Sequence, residues 1–122
     1  MNLRTQNVGR CGERLAEEHL LAQGARLLER NYRVEYGEID LLLEHDGDLV
    51  AVEVKTRDVG DLEAPEEAVS WRQLRRIVRA LETYAMDNDL LEGTWRIDVV
   101  LIVIEPDESV LRIDHLRSVY PA

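Results

Sequence analysis

The stretch GEIDLLLEHDGDLVAVEVK, residues 37–55, constrains the fold more than any other part of the chain. It contains two apolar runs of strand length, Glu38–Glu44 and Leu49–Lys55, separated by the dipeptide Asp46-Gly47. Asp-Gly between two such runs favours a tight turn, because glycine readily adopts the positive φ that the turn requires. The stretch therefore predicts an antiparallel hairpin, around which the other elements must be arranged.

Amphipathic helices are predicted on both sides of this hairpin. The spacing of apolar residues predicts a first helix over Val8–Gln23, which Gly24 ends. A longer helix is predicted over Glu66–Asn88, opened by Pro65 and with Trp71 on its apolar face. Each helix therefore offers one apolar face for packing against a sheet.

Three further strands are predicted from the remaining apolar segments. They are Ala25–Val34, the apolar run Ile97–Ile104 with both faces buried, and the edge strand Val110–His115. The order α-β-β-β-α-β-β predicts an α/β fold in which a mixed sheet is flanked by helices. With 122 residues, we expect a single domain over residues 1–122.

Three charged side chains interrupt the apolar runs of the hairpin. Alternation along the second strand places Glu53 and Lys55 together on the face opposite to its valines. Asp40, in the partner strand, lies at the end of the hairpin away from the turn. The sequence therefore predicts two carboxylates and one ammonium group close together, where an acid is costly unless it is paired or binds a metal.

Such a cluster predicts a site for a divalent cation. Two neighbouring carboxylates repel each other, and a cation removes that cost. Oxygen ligands without any Cys/His ligand spacing favour Mg²⁺ or Mn²⁺ over zinc. A lysine beside the cation suits phosphoryl chemistry, because it can stabilise a pentavalent phosphate or assist deprotonation of water. A cross-strand salt-bridge cluster without catalytic role is the alternative reading of the same residues.

The same residues carry a resemblance to known nucleases. GEIDLLLEHDGDLVAVEVKTR is similar to the Asp…Glu-x-Lys signature of the restriction-endonuclease-like superfamily. Together with GERLAEEHLLAQGARLLERNYR, APEEAVSWRQLRRI and RIDVVLI, it resembles the YraN-type bacterial proteins, which are thought to be similar to archaeal Holliday-junction resolvases. The resemblance extends from Gly12 to about Ile104. It implies a restriction-endonuclease-like core of the order α-β-β-β-α-β.

By position in the motif, the resemblance implies a set of site residues. The metal ligands would be the side chains of Asp40, Glu53 and Glu13 and the carbonyl oxygen of Val54. Lys55 would be the catalytic lysine. Glu38 lies on the same strand face as Asp40 and would support it.

The net charge of −10 means that any contact with nucleic acid needs a local positive surface. Candidates for contact with a nucleic-acid backbone are Arg30, Arg33, Arg57 and Arg72. The arginine-rich face of the second predicted helix could contact phosphates, although a solvated polar face explains it more simply.

Together, the residues and the resemblance predict a Mg²⁺- or Mn²⁺-dependent DNA endonuclease, with branched or junction DNA among its substrates. A homodimer would suit symmetric cutting of two strands. The alternative is a non-catalytic module that retains a nuclease fold and binds nucleic acid or a protein partner.

Several sequence features predict a cytoplasmic protein, and several single residues are interpreted as packing residues. No apolar run approaches the roughly 18–20 residues that span a bilayer, and no secretory signal is expected at the N-terminus. A single cysteine, Cys11, suits a reducing compartment. Cys11 and His19 are interpreted as core residues. Trp71 and Trp95 are interpreted as core or edge packing rather than as base-stacking platforms.

Overall fold

In the computed structural model, residues 3–61 and 69–120 are described, and within them the chain forms two α-helices, a short 3₁₀ helix and five strands. In chain order these are α1 (Leu3–Ala22), β1 (Arg26–Val34), β2 (Gly37–His45), β3 (Asp48–Asp58), the 3₁₀ helix (Val59–Asp61), α2 (Trp71–Asp87), β4 (Trp95–Ile104) and β5 (Val110–Tyr120). The α/β class and the predicted order of elements are confirmed. No helix in the described part of the chain is long and apolar enough to cross a membrane.

The five strands form one mixed sheet in the order β1-β2-β3-β4-β5. β3 and β4 are parallel, and the other neighbouring pairs are antiparallel. α2 lies in the connection between the parallel pair, which needs a long crossover. The arrangement is compatible with a restriction-endonuclease-like core, and β5 is an edge strand as predicted.

The predicted hairpin turn joins β2 to β3. His45 pairs with Asp48, so Asp46 and Gly47 form a two-residue loop. Their φ values of 53° and 83° are both positive, as a type I′ turn requires. The turn fixes the register in which the two strands pair.

Two apolar clusters hold the sheet between the helices. The cluster under α1 includes Ala16, Leu20, Leu41, Leu43, Val50, Val52, Val100 and Ile102. The cluster under α2 comprises Ile39, Leu42, Ala51, Ile77, Ala80, Leu81 and Ile97. Full burial of one large aliphatic side chain stabilises a fold by about 1.5–3 kcal/mol. Burial on both faces therefore fixes β2 and β3 at the centre of the domain.

The beginning of α2 differs from the prediction. Ser70 is extended, and its hydroxyl oxygen accepts a hydrogen bond from the Gln73 amide at 3.2 Å. The Gln73 side chain accepts one from the Ser70 amide at 3.0 Å, which completes a capping box. The predicted start at Pro65 lies outside the described residues, but α2 itself begins after Ser70. Trp71 is thus its first residue, and it is 73% exposed rather than part of the apolar face.

The predicted apolar run Ile97–Ile104 contains a buried polar network. Asp98 is fully buried and is hydrogen-bonded to Arg96 Nε at 3.0 Å, His115 Nε2 at 2.8 Å and the Ser118 amide at 3.0 Å. Burial alone would raise the pKa of Asp98, but these hydrogen bonds hold it below its ordinary value. The strand is therefore buried as predicted but is not purely apolar.

Two α1 residues interpreted as core are less buried than expected. Cys11 is exposed, so its core assignment is wrong. The helix approaches the sheet through Gly12, where a Cβ would clash with Thr56 Oγ1, and this directs Cys11 to the side. His19 is half-buried, with its ring edge-on to that of His115 at 6.5 Å.

We predict that Gly37→Ala destabilises the protein. A Cβ at this position would lie 2.8 Å from the Arg76 carbonyl oxygen and 2.9 Å from the Ala80 amide nitrogen. Because both are backbone atoms, α2 and β2 must move apart, and we expect the free energy of unfolding to fall by about 1–3 kcal/mol. Urea unfolding measures the change.

Gly60→Ala is the matched control, because no described heavy atom lies within 4 Å of a Cβ built there. Equal stability of the two variants would contradict the close packing of α2 on β2.

Candidate functional site

The two strands of the hairpin separate at the end that carries its charged residues. Backbone pairing of β2 with β3 runs from the turn to the pair Leu41↔Val52. Beyond it, the Val54 amide donates a hydrogen bond to Oδ2 of Asp40 at 2.8 Å. A side-chain carboxylate therefore occupies the place where a backbone carbonyl would continue the ladder.

The packing on the two faces shows how β2 leaves this ladder. Ile39 packs in the cluster under α2, whereas Leu41 packs in the cluster under α1. Strand residues two positions apart normally share a face. The alternation of β2 is thus interrupted at Asp40, and this irregularity turns its carboxylate toward β3.

Asp40, Glu53 and Lys55 come together as the sequence predicts. Lys55 Nζ lies 3.2 Å from Glu53 Oε1, and each of these two side chains is 15% exposed. The carboxyl groups of Asp40 and Glu53 lie close enough for each to alter the pKa of the other.

The pKa shifts differ between the two acids. Burial and, after it, the charge of Asp40 raise the pKa of Glu53 to about 7 against the opposing charge of Lys55. Burial also raises the pKa of Asp40, but the hydrogen bond from Val54 and the charge of Lys55 oppose the increase. Glu53 is therefore the protonated partner just below neutral pH.

Glu13 approaches this pair from α1. Burial and the charge of Asp40 raise the pKa of Glu13, while a hydrogen bond with Asn31 and the charge of Arg33 oppose the increase. The sequence reasoning missed Asn31, which has a positive φ of 49° within β1. The only signal in the sequence was an asparagine inside a predicted strand, because asparagine tolerates a positive φ better than most residues.

The donor set fits Mg²⁺ or Mn²⁺. Within residues 3–61 and 69–120, no group of three or more His, Cys, Asp or Glu side chains is close enough to hold a metal ion. Glu13 as a third acidic ligand thus stays a prediction. The adjacent carboxyls of Asp40 and Glu53 are hard oxygen donors, and Mg²⁺ commonly takes one or two carboxylates and completes its shell with water and phosphate.

Glu38, the predicted supporting residue, is paired with two arginines. Its Oε1 lies 3.2 Å from Arg76 Nη2, and its Oε2 lies 3.8 Å from Arg33 Nε. The charge of Glu38 raises the pKa of Asp40. The influence of Glu38 on the site is therefore electrostatic.

The arginines predicted to contact nucleic acid differ in their surroundings. Arg30 donates to both carboxylate oxygens of Glu17, at 2.6 and 3.0 Å. Arg57 donates to the Thr56 carbonyl oxygen at 3.0 Å. Arg72 is exposed on α2. Arg30, like Arg33, already has a carboxylate partner, which leaves Arg72 as the more accessible cation.

Comparison with known proteins matches the whole region of the site to one family. The family described as "Uncharacterised protein family UPF0102" matches residues 12–102. A UPF0102 protein of Nocardioides sp. is 44% identical over 115 residues, covering 93% of this chain and 91% of the relative. A UPF0102 protein of Frankia alni is 40% identical over 113 residues, covering 93% of each chain. One of Dictyoglomus turgidum is 34% identical over 118 residues, covering 97% of this chain and all of the relative.

We predict that stability without metal falls as the pH rises toward neutrality. Glu53 keeps its proton to about pH 7 in the folded chain, against an ordinary pKa of 4.5. The folded state therefore binds the additional proton between these values, and the free energy of unfolding should decrease by roughly 3 kcal/mol across the window. Urea unfolding in EDTA at pH 5 and pH 8 measures this.

Glu53→Gln should flatten this dependence and should be more stable than the parent at pH 8. Glu82→Gln, at an exposed position of α2, should keep the parental dependence. The same decrease in Glu53→Gln would show that another group takes up the proton.

Proposed function

This chain belongs to the uncharacterised protein family UPF0102, and we propose that it is a Mg²⁺- or Mn²⁺-dependent nuclease that hydrolyses phosphodiester bonds in DNA. The observation that supports this is the half-buried cluster of Asp40, Glu53 and Lys55 where β2 leaves β3. Two carboxyls with raised pKa values beside a lysine suit metal-assisted attack on phosphorus, and such perturbed groups concentrate at functional sites.

The residues would divide the chemistry between them. Asp40 and Glu53 would hold the cation through carboxylate oxygens, with the carbonyl of Val54 as a further donor. A bound Mg²⁺ or Mn²⁺ supplies Lewis-acid polarisation and lowers the pKa of water. Lys55, oriented by its 3.2 Å contact with Glu53, would stabilise the negative charge that develops on the phosphoryl oxygens.

The proton on Glu53 couples this site to pH. Two carboxylates bind a cation only after that proton has left, so metal binding releases it. Because the pKa of Glu53 is raised to about 7, metal affinity should increase between pH 6 and pH 8. We therefore expect nuclease activity to be low in mild acid and to increase above neutral pH.

Branched or junction DNA is the substrate that we propose within this class, on the basis of the resemblance to junction resolvases. A homodimer would place two sites on the two strands to be cut. The net charge of −10 predicts weak DNA affinity that decreases with salt.

A non-catalytic binding module is the second candidate function. It is favoured by the finding that the described acids do not form a cage of three metal-ligating side chains. In that case Asp40, Glu53 and Lys55 would form only a polar cluster within a nuclease fold.

We predict metal-dependent cleavage that requires Lys55 and Glu53. Supercoiled plasmid and a synthetic four-way junction are incubated with Mn²⁺, Mg²⁺ or EDTA, and products are resolved on gels. Lys55→Ala should lower the cleavage rate about 10²–10³-fold, because a charge-stabilising donor is lost. Glu53→Gln should be at least as impaired, since it removes a ligand charge.

Glu92→Gln, at an exposed position away from the cluster, is the control for this experiment and should cleave like the parent. Cleavage that survives in EDTA and in Glu53→Gln would contradict the proposed mechanism. Binding of the junction without cleavage by any preparation would favour the binding module.

We predict that Mn²⁺ raises the melting temperature by several degrees, because an ion that binds only the folded site stabilises it by mass action. Asp40→Asn should abolish this shift, since the amide carries no charge although its oxygen can still accept from Val54. Differential scanning fluorimetry with and without Mn²⁺ measures it. Glu92→Gln, at an exposed position, should keep the full shift. An equal shift in Asp40→Asn would place the ion elsewhere.

A further inference from the structure

Three aromatic side chains from different elements meet at the surface beside α2. The Trp71 and Tyr120 ring centroids lie 6.4 Å apart in an edge-to-face arrangement. The Tyr120 and Trp95 centroids lie 6.0 Å apart. Trp71 is 73% exposed and Trp95 is 38% exposed. These three residues, which we name the aromatic row, present broad ring surface to water.

Exposed arginines border this row. Arg75 and Arg79 line a groove together with Trp71, Tyr120 and one acid, Glu82, and Arg72 is exposed on the same helix. None of the three arginines, which we name the arginine arc, is ion-paired with another described residue. In contrast, most of the other described cations have a carboxylate partner: Arg26, Arg30, Arg33, Lys55, Arg76, Arg96, Arg112 and Arg117. The arc is thus a local positive surface on an acidic chain.

The arginine arc lies between the aromatic row and the candidate site. Successive helical residues are rotated by about 100°, which places the three arginines on the sector of α2 between Arg76 and Trp71. Arg76 pairs with Glu38 at 3.2 Å, two residues before Asp40. A ligand lying along this sector would run from the aromatic row toward the proposed catalytic cluster.

We propose that the aromatic row and the arginine arc bind a single-stranded segment of nucleic acid. Unpaired bases stack on exposed aromatic rings, and arginines contact the phosphates between them. Bases within a duplex are already stacked on each other, so Trp71 discriminates against double-stranded DNA. The inference rests on the proposed nuclease function and adds that the substrate carries unpaired nucleotides beside the cleaved bond.

A second copy of this chain fits this surface less well. A two-fold contact would place the arginine arc of one copy against the same arc of the other. Both copies also carry a net charge of −10, which opposes their association. Nucleic acid supplies negative charge for the arginine arc and planar bases that can stack on the aromatic row.

We predict that the full chain binds a fluorescein-labelled oligothymidylate of about 20 nucleotides, longer than the ~4–16 that one small domain covers. Anisotropy titrations are done at low salt in EDTA, so that binding is measured without cleavage. Trp71→Ala and the double variant Arg75→Ala/Arg79→Ala should each raise the Kd about tenfold or more. A hairpin duplex of equal length should bind more weakly than the oligothymidylate.

Two further variants separate stacking from stability. Trp71→Phe keeps an aromatic face and should retain most of the affinity. Met86→Ala changes another exposed apolar residue of α2, 65% exposed, and should bind like the parent. Melting temperatures of all variants establish that each is folded.

Unchanged oligothymidylate affinity in Trp71→Ala would overturn the proposal, as would a dimer that Trp71→Ala dissociates in size-exclusion chromatography. The outcome is independent of catalysis, because the titrations contain no divalent cation. Oligothymidylate binding without any cleavage would support this surface and contradict the nuclease. Metal-dependent cleavage without oligothymidylate binding would contradict this surface and support the nuclease.

Discussion

The hydrogen bond from the Val54 amide to the Asp40 carboxylate, at 2.8 Å, is the interaction on which the candidate site depends. β3 lies inside the sheet, where each amide needs a partner. Beyond the pair Leu41↔Val52, β2 no longer pairs with β3 through its backbone. The Asp40 carboxylate is then the partner of the Val54 amide. The same bond holds Asp40 near Glu53, and each acid then affects the pKa of the other. The backbone irregularity and the unusual electrostatics are therefore one feature, because a regular β2 would put a neutral carbonyl where the acid now lies.

Two buried acids in this domain show that hydrogen-bond and charge partners determine whether the pKa of a buried carboxyl group is raised or lowered. Asp98 is fully buried, yet its pKa is lowered, because His115, Ser118 and Arg96 all bond to it. Glu53 is less deeply buried, yet its pKa is raised to about 7, because burial disfavours its charge and the nearby charge of Asp40 adds to this effect against that of Lys55. The Asp98 network stabilises the ionised form and suits a structural role. The acids Asp40 and Glu53 have only Lys55 to balance them, so a bound cation would stabilise their ionised forms more than it would stabilise the Asp98 network.

The parts of the fold predicted from the sequence are those that local rules determine. The Asp46-Gly47 turn follows from conformational preference, and the pairing of Glu53 with Lys55 follows from strand alternation. Alternation fails at Asp40, which no local pattern signals, so the link to Val54 emerges only from the structure. The capping box at Ser70 was readable in the sequence, but Pro65 was the stronger apparent start. The exposure of Trp71 and Cys11 depends on where each helix contacts the sheet. Helical periodicity predicts which residues share a face, but not which of them lie over the sheet.

The position of α2 explains how an acidic chain can present one positive surface. The helix lies so close to β2 that only Gly37 fits beneath the backbone of Arg76 and Ala80. That contact fixes the rotation of α2, with Ile77 and Leu81 toward the sheet. Its arginines then lie on the outer sector, where Arg76 pairs with Glu38 and the arginine arc has no ion-pair partner among the described residues. One crossover helix thus covers the sheet with one face and, with the other, extends a positive surface from β2 to Trp71. Acidic residues elsewhere repel phosphate, so a nucleic acid would approach the candidate site along this sector of α2.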